Sequence, residues 1–235
     1  MAESATHAVR RTVEYEAAQS AQRKLTEERR TAQIPDLLWL LEHPPTITWG
    51  SSGGRQHILL AEDVLRARGI ALSRSERGGD VTFHEPGQLV GYLIVDLRGA
   101  FARDVHAYLR GVEEGILSCL AGFGIAGCRI ARRTGVWIDG ERPRKIAAMG
   151  VRAKGWIASH GFALNVENRL DGFELIVPCG LSGTGVTSLE REIQGRPLPP
   201  WRDIELEIHG ALEAALQLPL RLLRAEEGLH LAGLL

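Results

Sequence analysis

The feature that most constrains this fold is a series of short apolar segments in the middle of the chain, separated by glycine-rich breaks. The segments cover residues 80–83, 89–97, 135–140, 145–153 and 159–166. The first two flank a Pro-Gly turn, which is typical of paired strands. The last three follow one another at short intervals, as strands do in an antiparallel meander. The pattern therefore predicts an antiparallel or mixed β-sheet.

Helical segments and further strands surround this series without a strict alternation of strand and helix. We expect a solvent-facing helix at 13–29, strands at 37–43 and 46–50, a short helix at 60–68 ending at Gly69, a helix at 105–121 capped by Asp104, and a helix at 201–217. This mixture favours an α+β fold with a mixed sheet. Residues 1–10 are expected to be flexible and residues 11–235 to form a single domain.

The composition argues against several classes of protein. Hydrophobic residues make up 44% and charged residues 24% of the chain, as in ordinary globular proteins. The net charge of −1 indicates neither nucleic-acid nor membrane binding, and no apolar run approaches the length of a membrane span. No secretory signal is visible at the N-terminus. The three cysteines include no CxxC pair, which argues against a disulfide framework and favours the reducing cytoplasm.

Two common cofactor motifs can be set aside. Residues 122–127 match GxGxxG, but they follow a predicted helix, whereas a dinucleotide-binding loop follows a strand. The chain has no GxxxxGK[ST] phosphate-binding loop, and its eight histidines show no HExxH spacing. We therefore expect neither a cofactor nor a metal.

Residues 77–88, RGGDVTFHEPGQ, combine glycines with Arg, Asp, Thr, His and Gln side chains. Glycines permit turns and close backbone approaches that a Cβ would forbid. The segment can be a simple hairpin with tight turns. Its density of polar groups exceeds what a turn requires, and loops of this kind on a rigid sheet are where ligands are often held. The pattern slightly favours a binding role.

Lys145 and Cys179 are candidates for chemistry. A lone lysine in an apolar strand ordinarily lies at an edge with its amine in water, but it can also be partly desolvated beside an acid. Cys179 lies between a proline and a glycine, where a turn can present the sulfur to a ligand; a nearby cation would favour the reactive thiolate. Cys119 lies on an apolar helical face and is expected to be inert core, and Cys128 has no assigned role. Spacing alone leaves a structural role for Cys179 open.

Five short segments, taken together and in order, resemble those of a known protein family. RGGDVTFHEPGQLVGY, GVWI, KIAAMGVR, HGFALNV and PCG occur in this order within residues 37–190. This arrangement resembles the lipoate-biosynthesis octanoyltransferases, the octanoyl-[acyl-carrier-protein]:protein N-octanoyltransferases. The resemblance covers roughly two thirds of the chain. It implies the fold shared by lipoate and biotin ligases, a mixed sheet with helices against it.

The resemblance also implies a reaction and its partners. Cys179 matches the nucleophile that takes octanoyl from acyl carrier protein as a thioester. Lys145 matches the lysine that lowers the pKa of that thiol and carries the proton. The acceptors would be lipoyl domains of 2-oxoacid dehydrogenase complexes and the glycine cleavage H protein. ATP would not be needed, because the acyl group arrives activated.

Three matching segments would line the acyl pocket. Their residues are Arg77, Gly78, Gly79, Asp80, Val81, Thr82, Phe83, His84, Ala148, Met149, Gly150, Gly161, Phe162 and Ala163. His160 lies beside them and is a candidate for positioning the substrate, and His84 is a second candidate for positioning or proton handling.

Residues 129–145 carry a local excess of basic side chains that could steer an acidic carrier protein. The basic residues are Arg129, Arg132, Arg133, Arg142, Arg144 and Lys145, against Asp139 and Glu141. A solvated charged hairpin explains the same pattern equally well.

Glu85 departs from the family pattern, which has glycine between His84 and Pro86. We expect its side chain to point to solvent from a tolerant turn; a left-handed backbone there would cost about 1 kcal/mol or more. Two rival functions remain: an ATP-dependent lipoate or biotin ligase, and a noncatalytic relative that binds acyl groups or lipoyl domains. A ligase needs no cysteine at position 179, so Cys179 favours the transferase.

Overall fold

The computed structural model describes residues 12–177 and 185–235, which fold into two β-sheets with helices packed against them. The helices are α1 (Tyr15–Arg30), α2 (Glu62–Ala67), α3 (Val105–Gly122), α4 (Leu189–Glu192), α5 (Trp201–Leu216) and α6 (Glu226–Leu231). The strands are β1 (Leu37–Leu41), β2 (Thr46–Trp49), β3 (Ala71–Arg74), β4 (Val81–His84), β5 (Gln88–Asp96), β6 (Gly127–Ile130), β7 (Arg133–Ile138), β8 (Arg144–Lys154), β9 (Ile157–Asn165), β10 (Gly185–Val186) and β11 (Arg221–Arg224).

The larger sheet is mixed and follows the order β11-β1-β5-β9-β8-β7-β6, with β10 also paired to β8. β1 pairs in parallel with β11, and β10 pairs in parallel with β8, while the remaining pairs are antiparallel. The smaller sheet has the order β3-β2-β4. The predicted α+β class with a mixed sheet is confirmed.

Alternating side chains of the larger sheet face two separate cores, because successive strand residues point to opposite sides. Leu38 and Leu40 of β1 pack with α3 and α5 on one face. Leu37 and Trp39 pack with α1 and α6 on the other. Strands buried on both faces read as continuous apolar runs, which explains the sequence LLWLL of β1.

Helix α3 and the strands β7, β8 and β9 follow the sequence predictions, whereas the predicted pairing of the two strands that flank the Pro-Gly turn is wrong. β4 pairs with β2 in the smaller sheet, and β5 lies between β1 and β9 in the larger sheet. Asp104 caps α3, accepting hydrogen bonds from the backbone N–H groups of His106 and Ala107. β7, β8 and β9 form the expected antiparallel meander. The GxGxxG segment runs from the end of α3 to the start of β6, so it does follow a helix.

The prediction of a solvent-facing first helix is wrong. Ala18, Ala21 and Leu25 of α1 are fully buried against the larger sheet, and Tyr15 is only 3% exposed. Alanine side chains let the helix approach the sheet closely. Because alanine is only weakly hydrophobic, the buried face of the helix could not be recognised in a sequence rich in charged residues.

Several short elements were not predicted, namely β3, β6, β10, β11, α4 and α6. β11 reads Arg-Leu-Leu-Arg and pairs with β1, more than 180 residues earlier in the chain. A strand of four residues acquires its stability from its distant partner, so its own sequence carries little signal.

The predicted flexible segment 1–10 lies outside the described residues, and the single domain over residues 11–235 stays a prediction. Within residues 12–177 and 185–235, no helix has the length and apolar character needed to cross a membrane.

Gly161 of β9 provides a test of this packing. A Cβ there would overlap the backbone carbonyl oxygen of Gly91 in β5, which cannot move without disturbing the sheet. We expect Gly161→Ala to lower the free energy of unfolding by about 1–3 kcal/mol, measured by urea denaturation. Gly210→Ala is the matched control, because Gly210 lies in α5 with open space around its Cα. The control should be neutral or stabilising by up to about 1 kcal/mol; equal destabilisation in both variants would contradict the packing argument.

Candidate active site

A cavity of about 470 Å³ runs along β8 and β9 and beneath the segment that precedes β4. Its walls combine apolar side chains with a small number of polar and basic groups, as in many ligand sites. The lining residues are Tyr15, Arg77, Gly78, Gly79, Asp80, Val81, Thr82, His84, Val90, Tyr92, Val105, Leu109, Arg132, Arg133, Thr134, Trp137, Lys145, Ala148, Met149, Gly150, Val151, His160, Gly161, Phe162, Ala163, Phe173, Gly185 and Val186.

This cavity brings together Lys145, His160 and every residue of the predicted acyl pocket except Phe83. Phe83 instead packs into the core of the smaller sheet, with its ring centroid 6.0 Å from that of Phe173. Cys179 lies outside the described residues. In sequence it falls between Val177 and Gly185, and Gly185 lines the cavity.

Glycines allow the 77–80 segment to lie directly on β8. The backbone N–H of Gly78 donates to the carbonyl of Val151 at 2.9 Å. A Cβ on Gly150 would come within 2.8 Å of the carbonyl oxygen of Gly78, and Gly79 has a φ of +87°. The close approach and the left-handed turn both require glycine.

Arg77 is the buried cation of the cavity wall, with 9% of its surface exposed. Its Nη2 donates to the carbonyl oxygen and to Oγ1 of Thr48, each at 3.1 Å, and its Nη1 donates to the carbonyl of Gly78. These bonds fix the guanidinium between the smaller sheet and β8.

Lys145 is a half-buried residue of an interior strand, so the edge position considered from its sequence does not apply. Its backbone lies between β7, where Trp137 is its partner, and β10, where Val186 is its partner. The Nζ atom lies 4.7 Å from the centroid of the Trp137 ring. A cation over an indole face is favoured electrostatically, so Trp137 stabilises the ammonium form.

Three buried histidines lie at and behind the wall formed by α1, β4 and β9, and burial keeps them neutral. Burial lowers the pKa of His43 to about 4, and burial followed by the charge of Arg77 lowers that of His160 to about 3. The pKa of His84 lies well below its usual value, first because of burial and then because of His43. Neutral imidazoles add hydrogen-bonding atoms to the wall without adding charge.

A hydrogen-bond network joins His84 to the strand that carries Lys145. Gln88 Nε2 donates to Asn165 Oδ1 at 2.9 Å, so its Oε1 accepts from His84 Nδ1 at 2.8 Å. Asn165 Nδ2 donates to the carbonyl of Thr187, whose N–H donates to the carbonyl of Lys145. The network couples the polar motif around residue 84 to the backbone of Lys145.

His160 has two unusual properties. Its φ is +60° inside a strand, a conformation that non-glycine residues rarely adopt. Its Nδ1 is buried and makes no hydrogen bond to any described residue. Strain and an unsatisfied polar atom tend to occur where a structure serves a ligand.

The expectation that Glu85 points to solvent is wrong. Its side chain is only 7% exposed, and Oε1 accepts hydrogen bonds from the N–H of Leu170 at 2.9 Å and from Asn168 Nδ2 at 3.1 Å. Its backbone is not left-handed, whereas Gly87 two residues later has a φ of +89°. Glu85 therefore avoids the strain of a left-handed backbone, and its hydrogen bonds stabilise the turn at 168–170.

The basic segment 129–145 is less uniform than its sequence indicates. Arg129 pairs with Glu113 and Glu114, and Arg144 pairs with Glu192. Arg132 and Arg133, by contrast, line the cavity. Arg132 and Arg133 thus lie at the cavity together with Lys145.

The sequence reading missed several wall residues, including Tyr15, Tyr92, Trp137 and Val105. Tyr92 and Trp137 belong to segments already singled out, GQLVGY and GVWI, so their motifs could have indicated them. Tyr15 and Val105 carry no such signal, because only the packing of α1 and α3 brings them to the cavity. Of the other cysteines, Cys119 is buried core as predicted, and burial raises its pKa to about 12.

Comparison with known proteins agrees with this geometry. Residues 14–206 match the family model described as the lipoyl protein ligase A/B catalytic domain. The chain is 50% identical over 187 residues to an octanoyltransferase of Rubrobacter xylanophilus, which covers 79% of this chain and 81% of the relative. It is 48% identical over 186 residues to an octanoyltransferase of Chloroflexus aggregans, with 79% and 83% covered.

Solved structures show the same fold at low sequence identity. A lipoate-protein ligase A bound with ATP has a TM-score of 0.68 at 15% identity, covering 94% of this chain and 90% of that one. The bipartite lipoate protein ligase of Thermoplasma acidophilum, studied with its E2 lipoyl domain, also has a TM-score of 0.68 at 15% identity, with 92% and 86% covered.

The fold and the cavity therefore define a member of the lipoyl protein ligase A/B catalytic domain family, to which this chain belongs. Within that family it groups with the octanoyltransferases, and it is an acyltransferase that functions in octanoyl transfer for protein lipoylation.

The depressed histidine pKa values predict a loss of stability in acid. The pKa of His160 is about 3 in the folded chain, against an ordinary value of 6.5. Below pH 6.5 the unfolded chain therefore binds more protons than the folded chain, and the free energy of unfolding decreases as the pH is lowered. This group alone should remove about 2 kcal/mol between pH 7 and pH 5. His160→Asn keeps a side chain that tolerates the left-handed backbone. Urea denaturation at both pH values should show a smaller drop in the variant; an equal drop would contradict the neutral buried imidazole.

Proposed function

We propose that this enzyme transfers octanoyl from octanoyl-acyl carrier protein to a specific lysine of lipoyl domains through a thioester on Cys179. The observation that carries the proposal is the environment of Lys145. This half-buried amine lines the cavity next to β10, the strand that follows the Cys179 segment in sequence. The reducing cytoplasm predicted from the cysteine content would keep such a thiol available.

The chemistry fits a cysteine–lysine pair. A Lys145 ammonium, favoured by the Trp137 ring, would stabilise the Cys179 thiolate. The thiolate attacks the donor carbonyl, the bond to the carrier sulfur breaks, and the leaving thiolate takes the proton of Lys145. Lys145 is then neutral and can accept a proton from the incoming lysine ammonium. The acceptor nitrogen attacks the thioester carbonyl, the carbon–sulfur bond breaks, and Cys179 leaves as thiolate while the remaining excess proton of the nitrogen passes to solvent.

The cavity walls suit an unbranched acyl chain. From Lys145 to Gly150, β8 spans about 17 Å at 3.3–3.4 Å per residue, enough for an eight-carbon chain laid along it. Ala148, Phe162 and Ala163 line this stretch and offer apolar contact. Burial of each methylene contributes about 0.8 kcal/mol, which favours a chain that fills the available length.

Intact-protein mass spectrometry after incubation with octanoyl-acyl carrier protein tests the mechanism. The wild type should gain one octanoyl group that hydroxylamine removes, and Cys179→Ser should gain none that hydroxylamine releases under the same conditions. Cys128→Ser is the matched control and should be acylated like the wild type, because Cys128 is not among the cavity residues.

Two results would overturn the proposal. Transfer from free octanoate that requires ATP, without an adduct on the wild type, would favour a ligase. Binding of a lipoyl domain without any transfer would favour a noncatalytic relative.

Recognition of the carrier protein is proposed to involve Arg132 and Arg133, since carrier proteins of this class are acidic. We expect Arg132→Glu to raise the apparent KM for octanoyl-carrier protein about tenfold at low salt, with a smaller effect as salt increases. Steady-state transfer rates at several carrier concentrations measure this. Arg202→Glu is the control with the same charge change at an exposed position of α5. An equal increase in both variants would show that only net charge matters.

A further inference from the structure

The strand that carries Lys145 contains a β-bulge next to this lysine. Val136 of β7 pairs with Ala147, and Trp137 pairs with Lys145, so β8 has one extra residue, Ile146, between the two pairs. Ile146 and Ala147 are consecutive, yet both lie in the core against α3, whereas Lys145 lines the cavity. In a regular strand Lys145 and Ala147 would point to the same side. The bulge therefore turns Lys145 toward the cavity.

Gly135 of β7 contacts the stem of Lys145 at this bulge. Its φ is +118°, a conformation that favours glycine. A Cβ on Gly135 would lie 2.6 Å from the carbonyl oxygen of Ala147 and 3.5 Å from Cε of Lys145. The lysine stem thus packs against the backbone of Gly135, and a shift of Gly135 would move the amine at the end of that stem.

A buried carboxylate of α3 holds Gly135 in place. Glu113 is only 2% exposed, and its Oε1 accepts a hydrogen bond from the N–H of Gly135 at 3.1 Å. Its Oε2 accepts from Arg110 Nη1 at 2.6 Å and from Arg129 Nε at 3.1 Å. Because Arg129 belongs to β6, Glu113 joins α3 to both β6 and β7. A buried carboxylate needs such partners on both oxygens, and they fix its position.

The amine of Lys145 also depends on β7. Its Nζ atom lies 4.7 Å from the centroid of the Trp137 ring, and Trp137 follows Gly135 by two residues on the same strand. Glu113 is therefore connected through β7 to the contact of the stem and to the contact of the amine. Glu113 is not one of the described residues that line the cavity, so it acts on the reacting groups only through this strand.

We propose that Glu113 is a positioning residue for Lys145 and that it acts through Gly135 and Trp137. This inference rests on the proposed function, because it assigns to Glu113 a part in forming the Cys179 thiolate. Without the bond to Gly135 the bulge can relax, the amine is no longer held, and a smaller fraction of Cys179 is thiolate near pH 7. Charge alone predicts the opposite sign, since removal of a carboxylate favours a nearby thiolate.

The rate of Cys179 alkylation by iodoacetamide as a function of pH tests this role, because only the thiolate reacts. The full chain carries Cys128→Ser, and mass spectrometry of peptides follows the adduct. In Glu113→Ala we expect the midpoint of the profile to rise by about one pH unit, which lowers the rate at pH 7 about tenfold. Glu113→Gln keeps an oxygen that can accept from Gly135, so its rate should stay within about twofold of the wild type.

Two further variants make the test specific. Glu113→Asp keeps the charge but is one methylene shorter, so it cannot reach Gly135 while it pairs with the arginines; it should raise the midpoint and serves if Glu113→Ala does not fold. Glu114→Ala is the matched control, because Glu114 also pairs with Arg129 but its side chain is 55% exposed. This control should keep the wild-type profile.

The outcomes separate position from charge and from general damage. An unchanged or lowered midpoint in Glu113→Ala and Glu113→Asp would overturn the proposal, as would a rise of the same size in Glu113→Gln or in Glu114→Ala. Lys145→Met separates this inference from the proposed function. If Lys145→Met leaves the midpoint unchanged, the cysteine–lysine pair itself fails; if it raises the midpoint and the Glu113 variants do not, only the role of Glu113 is overturned.

Discussion

The pairing of β8 with its neighbours is the constraint on which the active site depends. This strand is hydrogen-bonded to β9 along residues 147–154 and to β7 and β10 around Lys145. Lys145 is therefore fixed in position by backbone pairing on both sides, and its flexible stem is the only part left to adjust. The same strand supplies Gly150 at the point where the 77–80 segment packs against it. One strand thus positions a candidate catalytic amine and a wall of the substrate cavity.

Electrostatics in the cavity follow from unequal burial of its polar groups. His43, His84 and His160 are too buried to carry charge near neutral pH, whereas Arg77 retains its charge and is held by backbone and hydroxyl oxygens. Burial also raises the pKa of Tyr92, so this phenol stays protonated and can hydrogen-bond to His43 at 2.6 Å. These three histidines and Tyr92 therefore stay uncharged near neutral pH, and an uncharged wall suits an uncharged acyl chain.

Glu85 shows how a departure from a family pattern can be absorbed by its surroundings. The carboxylate is buried, yet its bonds to Leu170 and Asn168 satisfy it, and Asn168 also joins the network through Asn165. Leu170 adopts a left-handed φ of +71°, and the bond from its N–H to Glu85 helps to hold that conformation. Glu85 thus links the segment between β4 and β5 to the turn that follows β9.

The sequence by itself determined the fold class and the antiparallel meander of β7, β8 and β9 through local patterns, and its resemblance to the octanoyltransferases indicated most of the cavity residues that were predicted. It could not reveal that α1 is buried, since alanines at positions 18 and 21 pack closely only when a sheet is present. Nor could it bring together His57 and Asp80, or Trp137 and Lys145, because such contacts depend on loop paths and strand register. Local propensity acts over a few residues, whereas these contacts arise from the simultaneous pairing of distant segments, which only the tertiary structure decides.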